Sequence, residues 1–136
     1  MYERPFRLKI IAPDRVVFEN NATSLSAPGT MGGFQVLFNH APLLSSLEIG
    51  PITVKDSAGA DTVFACGGGF VEVRDNTVIV LVESAESAAE IDVARAEKAR
   101  DRAAERLRGY REGLDLLRAR VALVRALNRL RVAGKA

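Results

Sequence analysis

Short apolar, β-branched runs, the first of them alternating apolar with polar residues, recur along residues 1–83, and they give way to a longer, helical period beyond. Phe6-Arg7-Leu8-Lys9-Ile10 reads as a half-buried strand closed by the turn chemistry of Pro13-Asp14. Val16-Val17-Phe18 and Thr23-Ser24-Leu25-Ser26 read as short strands on either side of Asn20-Asn21. Pro28 to Gly33 is a loop, Phe34 to Phe38 a strand, and Asn39-His40-Ala41-Pro42 turns the chain into Leu43 to Leu47. Gly50-Pro51 precedes Ile52-Thr53-Val54, and a turn at Asp56 to Gly59 leads to Thr62 to Cys66. Gly67-Gly68-Gly69 then separates that run from Phe70 to Val73, and Asp75-Asn76 opens the last strand, ending at Glu83. Eight or nine short strands without intervening helices predict an antiparallel sandwich or barrel.

From Ala85 to Ala133 there is no proline, and Ala, Arg, Leu and Glu dominate. Ser87 and Glu90 have capping-box spacing, so the β module passes to a helical one near Ser84–Ser87. One helix is expected over Asp92 to Arg108 and a second over Leu114 to Val132. The break at Gly109 to Gly113 is short enough to make them an antiparallel hairpin. The boundaries drawn are 1–84 for the β domain and 85–136 for the hairpin.

The first helix has a stripe of small residues, Ala96, Ala99, Ala103 and Leu107. The second has two apolar faces, Leu116-Leu123-Leu127-Leu130 and Leu114-Leu117-Val121-Val124. Such a helix either serves two docking arrangements or stands wedged between two fixed neighbours.

Charge sharpens the division. The net charge of +2 is the balance of about −3 over residues 1–83 and +5 over 84–136. The helical module thus suits an anionic partner (an acidic protein surface, a nucleotide or a nucleic acid) or simply carries a solvated basic face, the reading that composition alone slightly favours. Apolar runs fall far short of a membrane span, and the first residues resemble neither a signal nor a transit peptide. The one cysteine, Cys66, excludes an internal disulfide and fits a reducing compartment.

Catalytic chemistry is poorly provided for. One histidine and one cysteine exclude ordinary His/Cys zinc sites. His40, in an Asn-His-Ala-Pro turn, fits a structural hydrogen bond better than a base. The triple glycine lacks the Gly-Lys-Ser/Thr and the helix of a phosphate loop, so it is read as a bulge or a close backbone approach.

The arginines say more. Arg95 and Arg102 are two turns apart on the first helix, and Arg125 and Arg129 one turn apart on the second. Across a hairpin these pairs place four guanidiniums around one anion, with Asp92 at the helix entry as an acceptor. The competing expectation is that they are solvated or paired with Glu90, Glu97 and Asp101.

The order of these features resembles the epsilon subunit of the bacterial F1Fo ATP synthase. The resemblance rests on Phe6-Arg7-Leu8-Lys9-Ile10-Ile11-Ala12-Pro13, His40-Ala41-Pro42-Leu43-Leu44, and Gly67 through Val73. It continues in Ile91-Asp92-Val93-Ala94-Arg95-Ala96 and Arg125-Ala126-Leu127-Asn128-Arg129-Leu130, and so covers nearly the whole chain. It implies an N-terminal antiparallel β-sandwich followed by a C-terminal antiparallel two-helix hairpin, in a non-catalytic central-stalk subunit of a rotary proton-translocating ATP synthase. The sandwich binds the gamma subunit and rests on the c-subunit ring. The hairpin folds onto the sandwich, or extends so that its basic second helix meets an acidic segment of the beta subunit and blocks ATP hydrolysis.

In family members that bind ATP, the folded hairpin holds it as a regulatory ligand and does not hydrolyse it. Carried over, that implies Glu86, Ile91, Asp92, Arg95, Ala96, Arg102, Arg125 and Arg129. The partner-binding residues implied are Met31, Phe34, His40, Arg118 and Arg120. Where the family often has Glu-Gly-Glu-Leu-Gly facing the ring, this chain has Met31-Gly32-Gly33-Phe34-Gln35, which suggests a more apolar contact. No cofactor is required. Location on the cytoplasmic face of the cell membrane, peripheral and through the complex alone, follows from the same resemblance.

Two other readings compete. One is a free-standing ATP sensor whose hairpin closes on nucleotide. The other, a nucleic-acid-binding protein, has basic helices but Tyr110 as its only helical-region aromatic.

Overall fold

A computed structural model describes residues 4–109 and 113–134, with the side chains of 113 and 114 left aside. Among the described residues there are seven strands: β1 Phe6–Ala12, β2 Arg15–Ala27, β3 Phe34–Val36, β4 Leu43–Asp56, β5 Asp61–Arg74, β6 Thr77–Val82 and β7 Ala85–Ser87. One 3-10 turn, Ala88–Glu90, leads to α1, Val93–Gly109, and then α2, Gly113–Val132. The expected helix break has its central residues, Tyr110 to Glu112, outside the described residues.

The strand order is β1-β6-β5-β4-β2-β3, and β1 also pairs with β2, which closes the sheet on itself as a flattened sandwich. Its pairings are antiparallel except β1 with β6, which is parallel. The period-2 pattern sets the faces: Phe6, Leu8, Ile10 and Ala12 point inward from β1, and Val78, Val80 and Val82 from β6.

The expectation of eight or nine strands is corrected, because three expected breaks lie inside long strands. β2 runs through Asn20-Asn21, β4 through Gly50-Pro51 and β5 through the three glycines. Each keeps a ladder partner across the break, as at Pro51 opposite Ala65 and Gly67 opposite Ile49, so the small or turn-forming residues bend the strand without ending it. Gly68 and Gly69 have φ of 99° and 156°. A Cβ on Gly69 would run into the Leu81 carbonyl of β6, so the close approach expected of these glycines is present.

The handover falls at Ser87, within the Ser84–Ser87 stretch where the spacing put it. Glu90 Oε1 accepts from both the Ser87 N–H (3.0 Å) and the Ser87 hydroxyl (3.1 Å), but this pair organises the 3-10 turn. The α-helix starts after it, with Asp92 Oδ1 accepting from Arg95 N–H at 3.0 Å. Ala85–Ser87 forms β7, antiparallel to Phe64–Cys66 of β5, so sheet pairing runs past residue 84.

Apolar burial is unequal between the modules. The fully buried large side chains are concentrated in the sandwich, while the hairpin contributes Leu130. At about 1.5–3 kcal/mol per large side chain, the sandwich has a core of its own and the hairpin leans on its neighbours. The helices meet along small residues, Ala96 and Ala103 on α1 and Ala119 and Ala126 on α2, all buried. Alanine lets two backbones come close while burying little area.

α2 stands between α1 and the sandwich. The face carrying Ala119, Ala126 and Leu130 lies half a turn from Asn128, which meets the sheet. Of the leucines expected to be apolar contacts, Leu130 is buried, while Leu117 and Leu127 are exposed. The sheet-side face seats loosely: Val121 and Val124 border an apolar groove of about 770 Å³ shared with Leu47, Phe70 and Leu81.

Candidate functional site

A smaller, polar cleft of about 240 Å³ opens where the hairpin meets the sandwich. Glu86 of β7, Arg95 of α1, and Arg125, Asn128 and Arg129 of α2 line it, over a floor that includes Cys66 and Gly67. The two helices and the linker therefore bring together four of the residues singled out by resemblance and spacing. Arg102 is not among them. It is exposed, two turns (about 10.5 Å) further along α1 than Arg95, so three guanidiniums reach the cleft and not four.

Ile91 is buried, and Ala96 is fully buried on the hairpin. Asp92 turns one carboxylate oxygen back into α1 as its cap, which leaves the other as the free acceptor.

The two arginines of α2 are paired with acids from the sandwich side, not with those of the helices. Arg129 Nη2 donates to Glu86 Oε2 at 3.1 Å, and its buried Nε lies 2.8 Å from Oε1, an ionic contact too bent for a hydrogen bond. Arg125 Nη2 lies 3.6 Å from Glu83 in a largely exposed pair. Of the alternative that the arginines are solvated or paired with Glu90, Glu97 and Asp101, the solvated part fits the exposed Arg102, while the pairing is corrected: Glu90 is held by Arg15 and Asp101 by Arg100, and no pair with Glu97 occurs among the described residues.

Sequence reasoning missed Asn128, although a polar residue continuing the Leu117-Val121-Val124 face was the signal for it. Its Nδ2 donates to the carbonyls of Gly50 (3.2 Å) and Cys66 (3.3 Å), two residues directly opposed in the β4–β5 ladder. Because both partners are acceptors, the amide nitrogen must face them. Oδ1 is left buried with no hydrogen-bond partner, a cost carried by the docked hairpin.

The Arg15–Glu90 pair was also missed, since 75 residues separate its members. The Ser87 N–H first, then Arg15 and the Ser87 hydroxyl, hold the Glu90 carboxyl down to about 2. A carboxylate so depressed in the folded chain keeps its bonds through the ordinary carboxylate range and gives them up as pH falls through about 2.

No cluster of three metal-ligating side chains occurs among the described residues. Burial pushes the Cys66 thiol up, away from the thiolate a nucleophile needs. His40 Nδ1–H donates to the Ala41 carbonyl at 2.7 Å, the structural bond that its turn suggested.

The expected partner residues lie apart from the cleft. Met31 is 98% exposed, and Phe34 packs partly against the core beside the Gly29 turn. Arg118 and Arg120 are exposed on α2. Another apolar surface crosses the outside of the sheet. Leu44 (73% exposed) and Phe70 (56%) lie on it with Leu81 (52%), which is paired in register to Phe70.

Family comparisons match this division. Residues 5–88 match the β-sandwich domain of the ATP synthase delta/epsilon chain, and residues 89–134 its long α-helix domain. The ATP synthase epsilon chain of Nitratidesulfovibrio vulgaris strain DP4 is 47% identical over 134 residues, covering 98% of this chain and 99% of that one. That of Syntrophomonas wolfei is 41% identical over 135 residues, covering 99% and 98%. In fold, the chain is similar to one from the Euglena gracilis mitochondrial ATP synthase F1/c-ring structure, with TM-score 0.83, 21% identity, and 96% and 81% of the two chains covered. It is also similar to one from the Tetrahymena thermophila mitochondrial ATP synthase central stalk and c ring, with TM-score 0.63, 18% identity, and 99% and 98% covered. A β-sandwich with a docked helical hairpin, both domains matched by the family, and epsilon-chain relatives matched over nearly their whole length together place the chain in the ATP synthase delta/epsilon family, as an epsilon-type, non-catalytic subunit.

Proposed function

We propose that this subunit couples the catalytic head of a rotary proton-translocating ATP synthase to its c ring, and that its hairpin leaves the sandwich to restrain ATP hydrolysis. The observation that carries the reading is the docking of α2. It is held by Asn128 on two carbonyls and by two arginine–glutamate pairs, beside an apolar groove that it does not fill. A polar seat with an unsatisfied buried oxygen costs little to vacate, because water can satisfy every group it releases. Freed, Arg125 and Arg129 form with Arg118 one basic side of α2 for the acidic segment of a beta subunit, and Arg120 adds positive charge on another side of the same helix.

The gamma subunit fits the apolar band of Leu44, Phe70 and Leu81. The c ring fits the end of the sandwich where Met31, Leu37 and Phe38 are exposed. No described helix is long and apolar enough to cross a membrane, and membrane association in this reading is peripheral, through the complex, on the cytoplasmic face. Nucleic acid is not a partner in it.

Removal of Gly113 to Ala136 is expected to raise ATP hydrolysis by the assembled enzyme without preventing assembly. Charge reversal at Arg118, Arg120 and Arg125 should do the same, with inhibition by the unaltered chain weakening as salt rises. Unchanged hydrolysis after truncation rejects the inhibitory role.

ATP is the regulatory ligand proposed for the cleft. Arg95, Arg125 and Arg129 converge there, and a triphosphate must displace Glu86 from Arg129 to enter. That competition makes binding weak but leaves it dependent on each guanidinium. Arg95→Ala and Arg129→Ala should each weaken ATP binding about tenfold, on charge-assisted bonds of about 1.5–3 kcal/mol. Asp92→Ala should weaken it too, and Arg74→Ala should not. Calorimetric titration at millimolar ATP measures this, and no heat with the unaltered chain rejects the ligand. The same titration tests the free-standing sensor, which predicts tight binding by a chain that never joins a complex.

A further inference from the structure

The linker between sandwich and hairpin is also gripped by an arginine that does not line the cleft. Arg15, the first residue of β2, donates from Nη2 to the Ala85 carbonyl at 2.9 Å and from Nη1 to Glu90 Oε2 at 3.0 Å. Ala85 begins β7 and Glu90 ends the 3-10 turn, so one guanidinium holds both ends of residues 85–90. Glu86 lies between them.

An exposed ion pair ordinarily contributes little, because two free side chains must be ordered to form it. Here one acceptor is backbone, and Glu90 is already fixed by two bonds from Ser87. The ordering cost is therefore mostly met before Arg15 arrives. Past Glu90 the grip changes sides. Ile91 has an extended backbone, with φ −73° and ψ 124°, and the Asp92 carboxylate is committed to the first turn of α1.

We propose that Arg15 is a clasp that keeps β7 and the 3-10 turn on the sandwich whatever the hairpin does, so that the hairpin swings at Ile91–Asp92 and leaves Glu86 behind. The inference rests on the release reading above. It divides the cleft by mechanism: Glu86 stays, and Arg95, Arg125 and Arg129 depart together on one helix pair. On return, Arg129 meets a carboxylate that has not moved. The clasp thus acts as a positioning device for the cleft, through Ala85 and Glu90, without touching a ligand.

Hydrogen exchange on the full chain, without nucleotide, tests it. The hairpin is released by combining Asn128→Asp with Arg129→Glu, which removes the donor to two carbonyls and sets like charges at Glu86. Separation is read by a distance reporter between sandwich and α2. In that released chain the amides of residues 85–90 should keep their protection. Adding Arg15→Ala should speed their exchange at least tenfold while β1 to β6 stay unchanged, and Glu90→Gln, which keeps an acceptor for Ser87, should produce a smaller increase. Loss of protection at 85–90 on release with Arg15 in place puts the hinge upstream and overturns the proposal, as does no effect of Arg15→Ala. A hairpin that stays seated in the released design overturns the release reading and the hinge together.

Discussion

Gly69→Ala should shift the urea unfolding midpoint of the sandwich far below that of the unaltered chain, at a cost of about 3 kcal/mol or more. At this position φ is 156°, and an added Cβ meets the Leu81 carbonyl and lies 2.9 Å from Val82 Cα. Both obstacles are backbone of β6, and Gly69 is paired with Val82 in the ladder, so no side chain can turn aside to make room. The strands must separate where β5 serves β4 and β6 together. Against a total stability of about 5–15 kcal/mol this is a large share. Gly59→Ala is the control: its φ is 86° but nothing lies within 4 Å of the added carbon, so conformational strain alone remains, about 1–3 kcal/mol. Equal losses at the two sites would mean that the β5–β6 approach is not rigid.

Replacing Phe70 and Leu81 together by Asp should abolish gamma-subunit binding and leave the fold intact. Both side chains are more than half exposed, and they are cross-strand partners at the centre of the apolar band. Each loses up to about 1.5–3 kcal/mol of interfacial burial. Each also brings a carboxylate that must be desolvated without a partner, a further penalty of at least a similar size. Together these exceed about 4 kcal/mol, a thousandfold or more in affinity. Pull-down with gamma and the melting temperature of the isolated chain separate lost binding from lost folding. Retained binding would place gamma on another face of the sandwich.

The expectations from spacing succeeded where the physics is local. A period of two placed Phe6, Leu8 and Ile10 on one side of a strand, because successive side chains leave the backbone on opposite sides. A helical period placed Arg125 and Arg129 on one face, and they do line one cleft. The same phase arithmetic overreached at Arg102. Two turns keep a residue on the same face but carry it about 10.5 Å along the axis, beyond the cleft.

What the sequence determined, then, is the alternation that makes a β module, the small-residue stripe that lets two helices close, the phase of the arginines, and the motifs that resemble the family. Only the tertiary structure decided which acids those arginines meet, where three strands run on through expected breaks, and how the hairpin is seated. Glu86 lies 43 residues before Arg129, and Arg15 lies 75 before Glu90. Nothing in a local period distinguishes Glu86 from Glu97 as a partner, since both are polar residues in polar surroundings. The choice is made by strand register, which hangs β7 on β5, and by Asn128, which fixes α2 against the two carbonyls that the β4–β5 ladder turns toward it. Side-chain period is a property of a few neighbouring residues, whereas ion-pair choice depends on where closed loops deliver distant ones.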